Sequence, residues 1–363
     1  LLLGACGNDG MNTSAAAGLG EGDTDTDGET TDDTSDEGST TDEDQETDGN
    51  DSQTTGEPQD DSDSGGSCEQ AQYSFSFEPT TPNVMLVLDK SRSMSNVWDH
   101  DLNAATPDIS RYHTLHNVVS SLTSDLGDQI NFGAQLFPSA DAYLDEPTNN
   151  YSCEVEPQPE VSVGPNTNGA IMAMMPAADD FSISGGTPAA AGLLSAIDEL
   201  ENNVDPMSQR AIVLVTDGAP NCNDMEPADT TLFVYDDTVV QIIDSSFQDS
   251  HIPVYVVGIN IVDDDTLTKP AVNPSEAIHD MAVAGGVPAP NGQIYYNAFN
   301  EQELADALEA VIDDIECTVT LEQQPDYPEN VSVEVGGAFY PMVADCETES
   351  GWVYTSPNGP YNA

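Results

Sequence analysis

Residues 84–88 read VMLVL, an apolar run without alternation that stops at Asp89. A run this short, rich in valine and leucine, fits a strand buried on both faces of a sheet. Residues 130–137 (INFGAQLF) are read as the next strand, and further buried runs follow at 211–215 (AIVLV) and 252–259 (IPVYVVGI), with a short strand at 294–296. The segments between them have helical spacing. In 108–126 the apolar residues fall at Ile109, Tyr112, Leu115, Val118, Val119 and Leu122, with Asp108 as N-cap after Pro107. Helices are also predicted at 188–200, 238–247, 275–284 and 301–315. The last is capped by Asn300, with Glu303 completing a capping box. Strands alternating with helices imply an α/β fold: a doubly wound, mostly parallel sheet flanked by helices.

In such a sheet, ligands bind at the carboxyl ends of the strands. The run 84–88 is followed there by Asp89, Ser91 and Ser93, with oxygen-bearing side chains at alternate positions. The run 211–215 is followed by Thr216-Asp217-Gly218. Between them, Ser184-Gly185-Gly186-Thr187-Pro188 puts a threonine hydroxyl in a glycine turn just before a helix. Carboxylates and hydroxyls without sulfur or imidazole suit Mg²⁺, Mn²⁺ or Ca²⁺ rather than zinc. The order and spacing of these three loops resemble the von Willebrand factor type A (VWA) domain and its metal-ion-dependent adhesion site. The resemblance covers about residues 80–316. It implies a Rossmann-like sheet and the metal ligands Asp89, Ser91, Ser93, Thr187 and Asp217. It further implies a divalent cation, Mg²⁺ first with Ca²⁺ or Mn²⁺ as alternatives, and a partner that completes the coordination with a carboxylate.

Of the chain's 363 residues, 67 are Asp or Glu and 5 are Lys or Arg, a formal charge of −62. No basic surface exists to displace counterions from phosphates, which excludes nucleic-acid binding. Docking on an anionic membrane surface is disfavoured for the same reason. Residues 1–6 (LLLGAC) resemble the end of a bacterial lipoprotein signal peptide, with Cys6 as the acylated lipobox residue. Contact with a membrane is then expected only through that lipid anchor. Residues 7–67 are rich in Asp, Glu, Thr, Ser and Gly, and 8–67 hold 20 acidic residues and no basic one. Such a segment is expected to be a disordered, self-repelling tether with a span of about 45 Å or more. Within it, Asp23, Asp25, Asp27 and Gly28 resemble the opening of a calcium loop. The position that should carry the bidentate glutamate is Thr34, so a solvated acidic run is the expectation. Residues 68–316 are read as the VWA domain. Residues 317–363, with alternating Val331, Val333 and Val335 and then Trp352 to Tyr354, are read as a small β-rich extension.

An exported chain is expected to oxidise its thiols. With Cys6 acylated, Cys68, Cys153, Cys222, Cys317 and Cys346 remain. Cys153 lies in the Pro- and Asn-rich insertion 138–168 and Cys222 in the loop after Asp217, so both fall at the carboxyl face of the sheet and are expected to pair. Cys317 has Cys346 or Cys68 as partner, with Cys346 preferred. His113 and His116, three apart with no third soft ligand nearby, are expected to be surface histidines. No Gly-x-Ser-x-Gly, His-Glu-x-x-His, phosphate-loop or dinucleotide motif is present, and no histidine falls in the site loops. The expectation is therefore not an enzyme but an exported, lipid-anchored protein of the outer membrane or cell surface. Its domain would bind a protein ligand, or a surface or matrix component, through a divalent metal. The alternatives are a structural or accessory subunit of a surface assembly whose metal only stabilises loops, and, more remotely, a metal-dependent hydrolase.

Overall fold

The run at 84–88 forms the central strand β1 (Asn83–Asp89), buried along its whole length. Side chains of a strand alternate between faces, and β1 feeds two separate cores in this way. Val84, Leu86 and Leu88 enter one, Met85 and Val87 the other. On either side of β1 lie β2 (Asn131–Phe137) and β4 (Arg210–Thr216), both parallel to it. β5 (Val254–Ile259) and β6 (Tyr296–Ala298) continue the parallel sheet beyond β4, and β3 (Val161–Gly164) closes the other edge. The order is β6-β5-β4-β1-β2-β3, and only β3 runs antiparallel. Helices cover both faces. α1 (Arg111–Asp125), α2 (Asn168–Met174) and α6 (Glu301–Glu316) pack on the first core; α3 (Ala189–Asn202), α4 (Thr238–Gln248) and α5 (Pro274–Ala284) pack on the second. This is the expected α/β, mostly parallel architecture.

The computed structural model describes residues 81–316, except 146, 147, 150, 181, 207, 288 and 290–293. It also describes short strands outside that span: Leu2–Cys6, Ala15–Leu19, Phe75–Phe77, Thr318–Thr320, Val331–Val335, residues 338–343 and residues 350–354. Leu2–Cys6 pairs antiparallel with Thr318–Thr320 and Gly351–Tyr354, and Ala15–Leu19 lies between Val331–Val335 and Phe75–Phe77. The β strands after residue 317 thus take partners from the start of the chain. Trp352 is buried there against Val333. Ala15–Leu19 (AAAGL) is an apolar island inside the stretch expected to be a tether. The Asp23 pattern, Cys68, Cys317 and Cys346 lie outside the described residues, and of Cys6 the structure gives the backbone only.

Several boundaries differ from the sequence reading. α1 starts at Arg111, not Asp108; its N-cap is Ser110, whose Oγ accepts from the His113 N–H at 3.0 Å. Residues 109–110 instead pair with Val97–Trp98. The insertion 138–168 is not wholly irregular, since β3 forms within it and α2 begins at its end. Glu199 of α3 holds β3 from the helical layer by accepting the Val163 N–H at 3.0 Å. β6 begins two residues later than expected. The capping box of α6 is present: the Glu303 N–H donates to Asn300 Oδ1 at 2.9 Å and Asn300 Nδ2 to Glu303 Oε1 at 2.8 Å. His113 and His116 are both half-buried on α1. At the amino end of the sheet, Gln209 joins the chain's entry to its exit. Its carbonyl accepts the Asn83 N–H at 2.9 Å, and its Nε2 donates to the Ile315 carbonyl at 3.1 Å.

Candidate metal centre

β1 and β4 are neighbours and end together, which sets Asp89 beside Thr216 and Asp217. Asp89 is fully buried and both its oxygens are engaged. Oδ1 accepts the Ser91 N–H at 2.6 Å, and Oδ2 accepts the Thr216 hydroxyl at 2.6 Å. The chain then turns into a short 3₁₀ segment, Arg92–Ser95, which brings Ser91 Oγ and Ser93 Oγ to 2.9 Å. Ser93 gives its hydroxyl proton to Asp217 Oδ1 at 2.6 Å, so Ser91 is the donor to Ser93. Four of the five predicted ligands, Asp89, Ser91, Ser93 and Asp217, therefore belong to one hydrogen-bonded string.

Thr187 stands on the adjacent loop and is buried. Two ties fix that loop to the others. The Arg92 N–H donates to the Gly185 carbonyl at 3.2 Å, and Asn221 brackets Thr187: its Oδ1 accepts the Thr187 N–H at 2.7 Å and its own N–H donates to the Thr187 carbonyl at 3.0 Å. Gly185 needs its missing side chain here, since its φ is +117° and a Cβ would meet Pro138 at 2.5 Å. α3 starts just after Thr187. Its Gly192 lets it lie close on the sheet, where a Cβ would stand 3.2 Å from Phe137 and 3.3 Å from Val87.

The insertion is fastened to the same loops. Cys153 and Cys222 form a disulfide, the pairing expected from the sequence. The Gly186 N–H donates to the Ser152 carbonyl at 2.7 Å. Lys90, buried, donates through Nζ to the carbonyls of Ala142 and Ser184, each at 3.2 Å. Burial pushes the Lys90 ammonium down to about 8 against the opposing pull of Asp89.

Charge decides what this arrangement accepts. Burial, with Asp217 beside it, pushes the Asp89 carboxyl up to about 7. Burial also raises Asp217, opposed by Arg111. The Arg111 guanidinium, at the first position of α1, donates to Asp217 Oδ2 at 2.7 Å. Asp217 has the Arg111 guanidinium against it and Asp89 has the buried Lys90 ammonium nearby, yet burial still raises both carboxyls, a cost that a divalent cation would relieve. Among the described residues no three His, Cys, Asp or Glu side chains converge on one point. The donors are two carboxylates and the hydroxyls of Ser91, Ser93 and Thr187, an oxygen-only set that fits a hard cation.

Arg111, Lys90, Asn221 and Thr216 escaped the sequence reading. Thr216 touches Asp217 in sequence and was within reach of it. Arg111 and Lys90 had a signal too: the chain has 5 basic residues, and Lys90, Arg92 and Arg111 are three of them. Asn221 had none, being one polar residue in a polar loop.

No family model matches the chain, and no curated protein matches it. Solved structures similar to parts of it include the pilus adhesin SpaC from Lactobacillus rhamnosus GG, at 18% identity over 65% of this chain and 31% of that one, with a TM-score of 0.45. A von Willebrand factor type A protein from Catenulispora acidiphila matches at 14% identity over 67% and 44%, TM-score 0.40. The manganese-loaded TRAP protein of Plasmodium vivax matches at 15% identity over 70% and 76%, TM-score 0.38. The matched part is about a third of SpaC's length.

Proposed function

We propose that Asp89, Ser91, Ser93, Thr187 and Asp217 hold a divalent cation, Mg²⁺ before Ca²⁺ or Mn²⁺, and that the domain is a VWA-type binding module. The observation that carries this reading is the hydrogen-bonded string from Asp89 to Asp217 at the carboxyl ends of two adjacent central strands, where two buried carboxylates meet one guanidinium. Once bound, the cation offers an electron-poor position to an oxygen ligand, and a carboxylate of a protein partner or surface component is the ligand such a position favours most. The protein's own part is to hold the hydroxyl and carboxylate oxygens in place. Ser91, Ser93, Asp89 and Asp217 orient one another, and Asn221 fixes Thr187. No histidine takes part in the network, so the reading is recognition rather than catalysis. We place the protein at the cell surface, exported and anchored through Cys6; the Cys153–Cys222 disulfide supports an oxidising compartment.

Calorimetric titration of Mg²⁺, Mn²⁺ and Ca²⁺ into metal-stripped protein tests the reading. A single stoichiometric site lost in Asp89→Ala is the expected result. Weak multi-site binding, unchanged in the variant, would falsify it. A second reading has an observation of its own: Asp89, Ser91, Ser93 and Asp217 hydrogen-bond to one another, as side chains in loops with a purely structural role would. In that case Asp217→Ala lowers the melting temperature first. A binding role predicts loss of the partner with the fold retained.

A further inference from the structure

Three basic residues of a chain with formal charge −62 stand at one site, and their states differ. Lys90 is buried and committed to two backbone carbonyls. Arg111 is paired with Asp217, yet its Nε is buried without a hydrogen-bond partner, so Asp217 does not saturate the guanidinium. Arg92, between Ser91 and Ser93, is exposed, and its side chain makes no hydrogen bond or ion pair among the described residues. An exposed arginine without a carboxylate is unexpected where acidic residues outnumber basic ones 67 to 5.

The charges then set the site's preference. The Asp89 and Asp217 carboxyls face the Arg111 guanidinium and the buried Lys90 ammonium, and a divalent cation leaves the set net positive. Without Arg111 the loaded site would carry one positive charge fewer. Arg111 therefore weakens attraction for the cation and strengthens attraction for an anion arriving afterwards. A distant acidic ligand is repelled by the rest of the molecule, but that repulsion is screened beyond about 8 Å at physiological ionic strength. Capture must come from local positive charge. A guanidinium presents a planar fork of donors that matches a carboxylate.

We propose that Arg111 and Arg92 make the metal-loaded site a receptor for an acidic segment bearing at least two carboxylates, one for the metal and one for Arg92, and that Arg111 does so by giving up cation affinity. This rests on the metal reading above and narrows its carboxylate ligand to a segment bearing a second carboxylate for Arg92.

The test has two stages on the full chain. Mg²⁺ is titrated into metal-stripped wild type, Arg111→Gln and Arg111→Lys. Terminally blocked peptides with one or two aspartates are then titrated into the Mg²⁺-saturated proteins and Arg92→Gln. Arg111→Gln should bind Mg²⁺ about fivefold or more tightly, and the two-aspartate peptide about fivefold or more weakly, than wild type. Arg111→Lys keeps the charge and should stay near wild type in both. Arg92→Gln should lose the preference for the second aspartate. The proposal is overturned if Arg111→Gln binds Mg²⁺ no better than wild type while melting at the same temperature. It is overturned equally if wild type binds both peptides alike. Stoichiometric Mg²⁺ binding without a peptide preference sinks this inference alone; absence of Mg²⁺ binding by wild type sinks the metal reading with it.

Discussion

Asn221→Ala isolates the clamp on Thr187. The substitution leaves the backbone bond from the Asn221 N–H to the Thr187 carbonyl in place, but removes the Oδ1 that accepts the Thr187 N–H at 2.7 Å. That N–H is buried, and a buried donor left without an acceptor costs about 1–3 kcal/mol. For a domain of this size 1 kcal/mol moves the melting temperature by about 2–4 °C, so a fall of about 4–8 °C is expected for the middle of that range. The second consequence concerns the cation. Thr187 keeps its hydroxyl but loses the bond that orients its backbone, and Mg²⁺ affinity should fall about tenfold, or about 1.4 kcal/mol. Melting scans with and without Mg²⁺ read both effects, because stabilisation by a ligand grows with its concentration relative to Kd. The variant should melt lower without Mg²⁺ and gain less when Mg²⁺ is added. A lowered melting temperature with an undiminished Mg²⁺ gain would show that Thr187 is not held for a metal, and the clamp would be structural only.

Replacing both Cys153 and Cys222 by serine opens a loop of sequence separation 69. Loop entropy puts the loss at about 4 kcal/mol, and thermal melts should show it; an unchanged melting temperature would refute the stapling role. Glu160 is half-buried with its Oε1 enclosed and unpartnered, and burial raises its carboxyl to about 7 while the Leu136 N–H bond opposes the rise. Its neutral form is therefore favoured by folding: that stability is present at pH 4 and is lost as pH climbs through about 7. Glu160→Gln should be more stable than wild type by about 2 kcal/mol at pH 8 and indistinguishable at pH 4 in denaturant unfolding; equal stability at both would contradict this. Gly186→Ala places a Cβ 2.5 Å from Cys222 Sγ, 2.7 Å from Leu232 Cδ2 and 2.8 Å from Asn221 Oδ1. Overpacking of about 1–3 kcal/mol and weakened Mg²⁺ binding should follow in melts and calorimetry, whereas a wild-type profile would mean the three loops are looser than described.

The sheet was legible because its strands are buried on both faces. In β1, β4 and β5 burial forces apolar residues onto consecutive positions. β3 has only four residues, sits at the edge and has one residue exposed, so VSVG inside a Pro- and Asn-rich stretch carries little signal. The start of α1 was misplaced because Asp108 and Ser110 are both good caps. The choice between them was made by residues 109–110 pairing with Val97–Trp98, a contact that sequence periodicity does not contain. At the site, Asp89, Ser91, Ser93 and Asp217 were readable because strand ends dictate where they project. Arg111 arrives from the start of α1 and Asn221 from the loop after β4, 106 and 34 positions from their partners Asp217 and Thr187, and only the packed tertiary structure brings them in.

Gln209, bonded to both Asn83 and Ile315, puts the two ends of the α/β body at one pole. Asp89 lies at the far end of the same strand that Asn83 begins, about 20 Å away along a strand of that length. Whatever is attached before residue 83 or after residue 315 therefore leaves from the side opposite the metal centre. A body with both ends at one pole can be carried on a stalk from either end, or spliced into a larger protein as a plug-in unit, with the proposed metal site still on the far side. Tension on such a stalk would run along β1, between two parallel neighbours, toward the loop that carries Asp89.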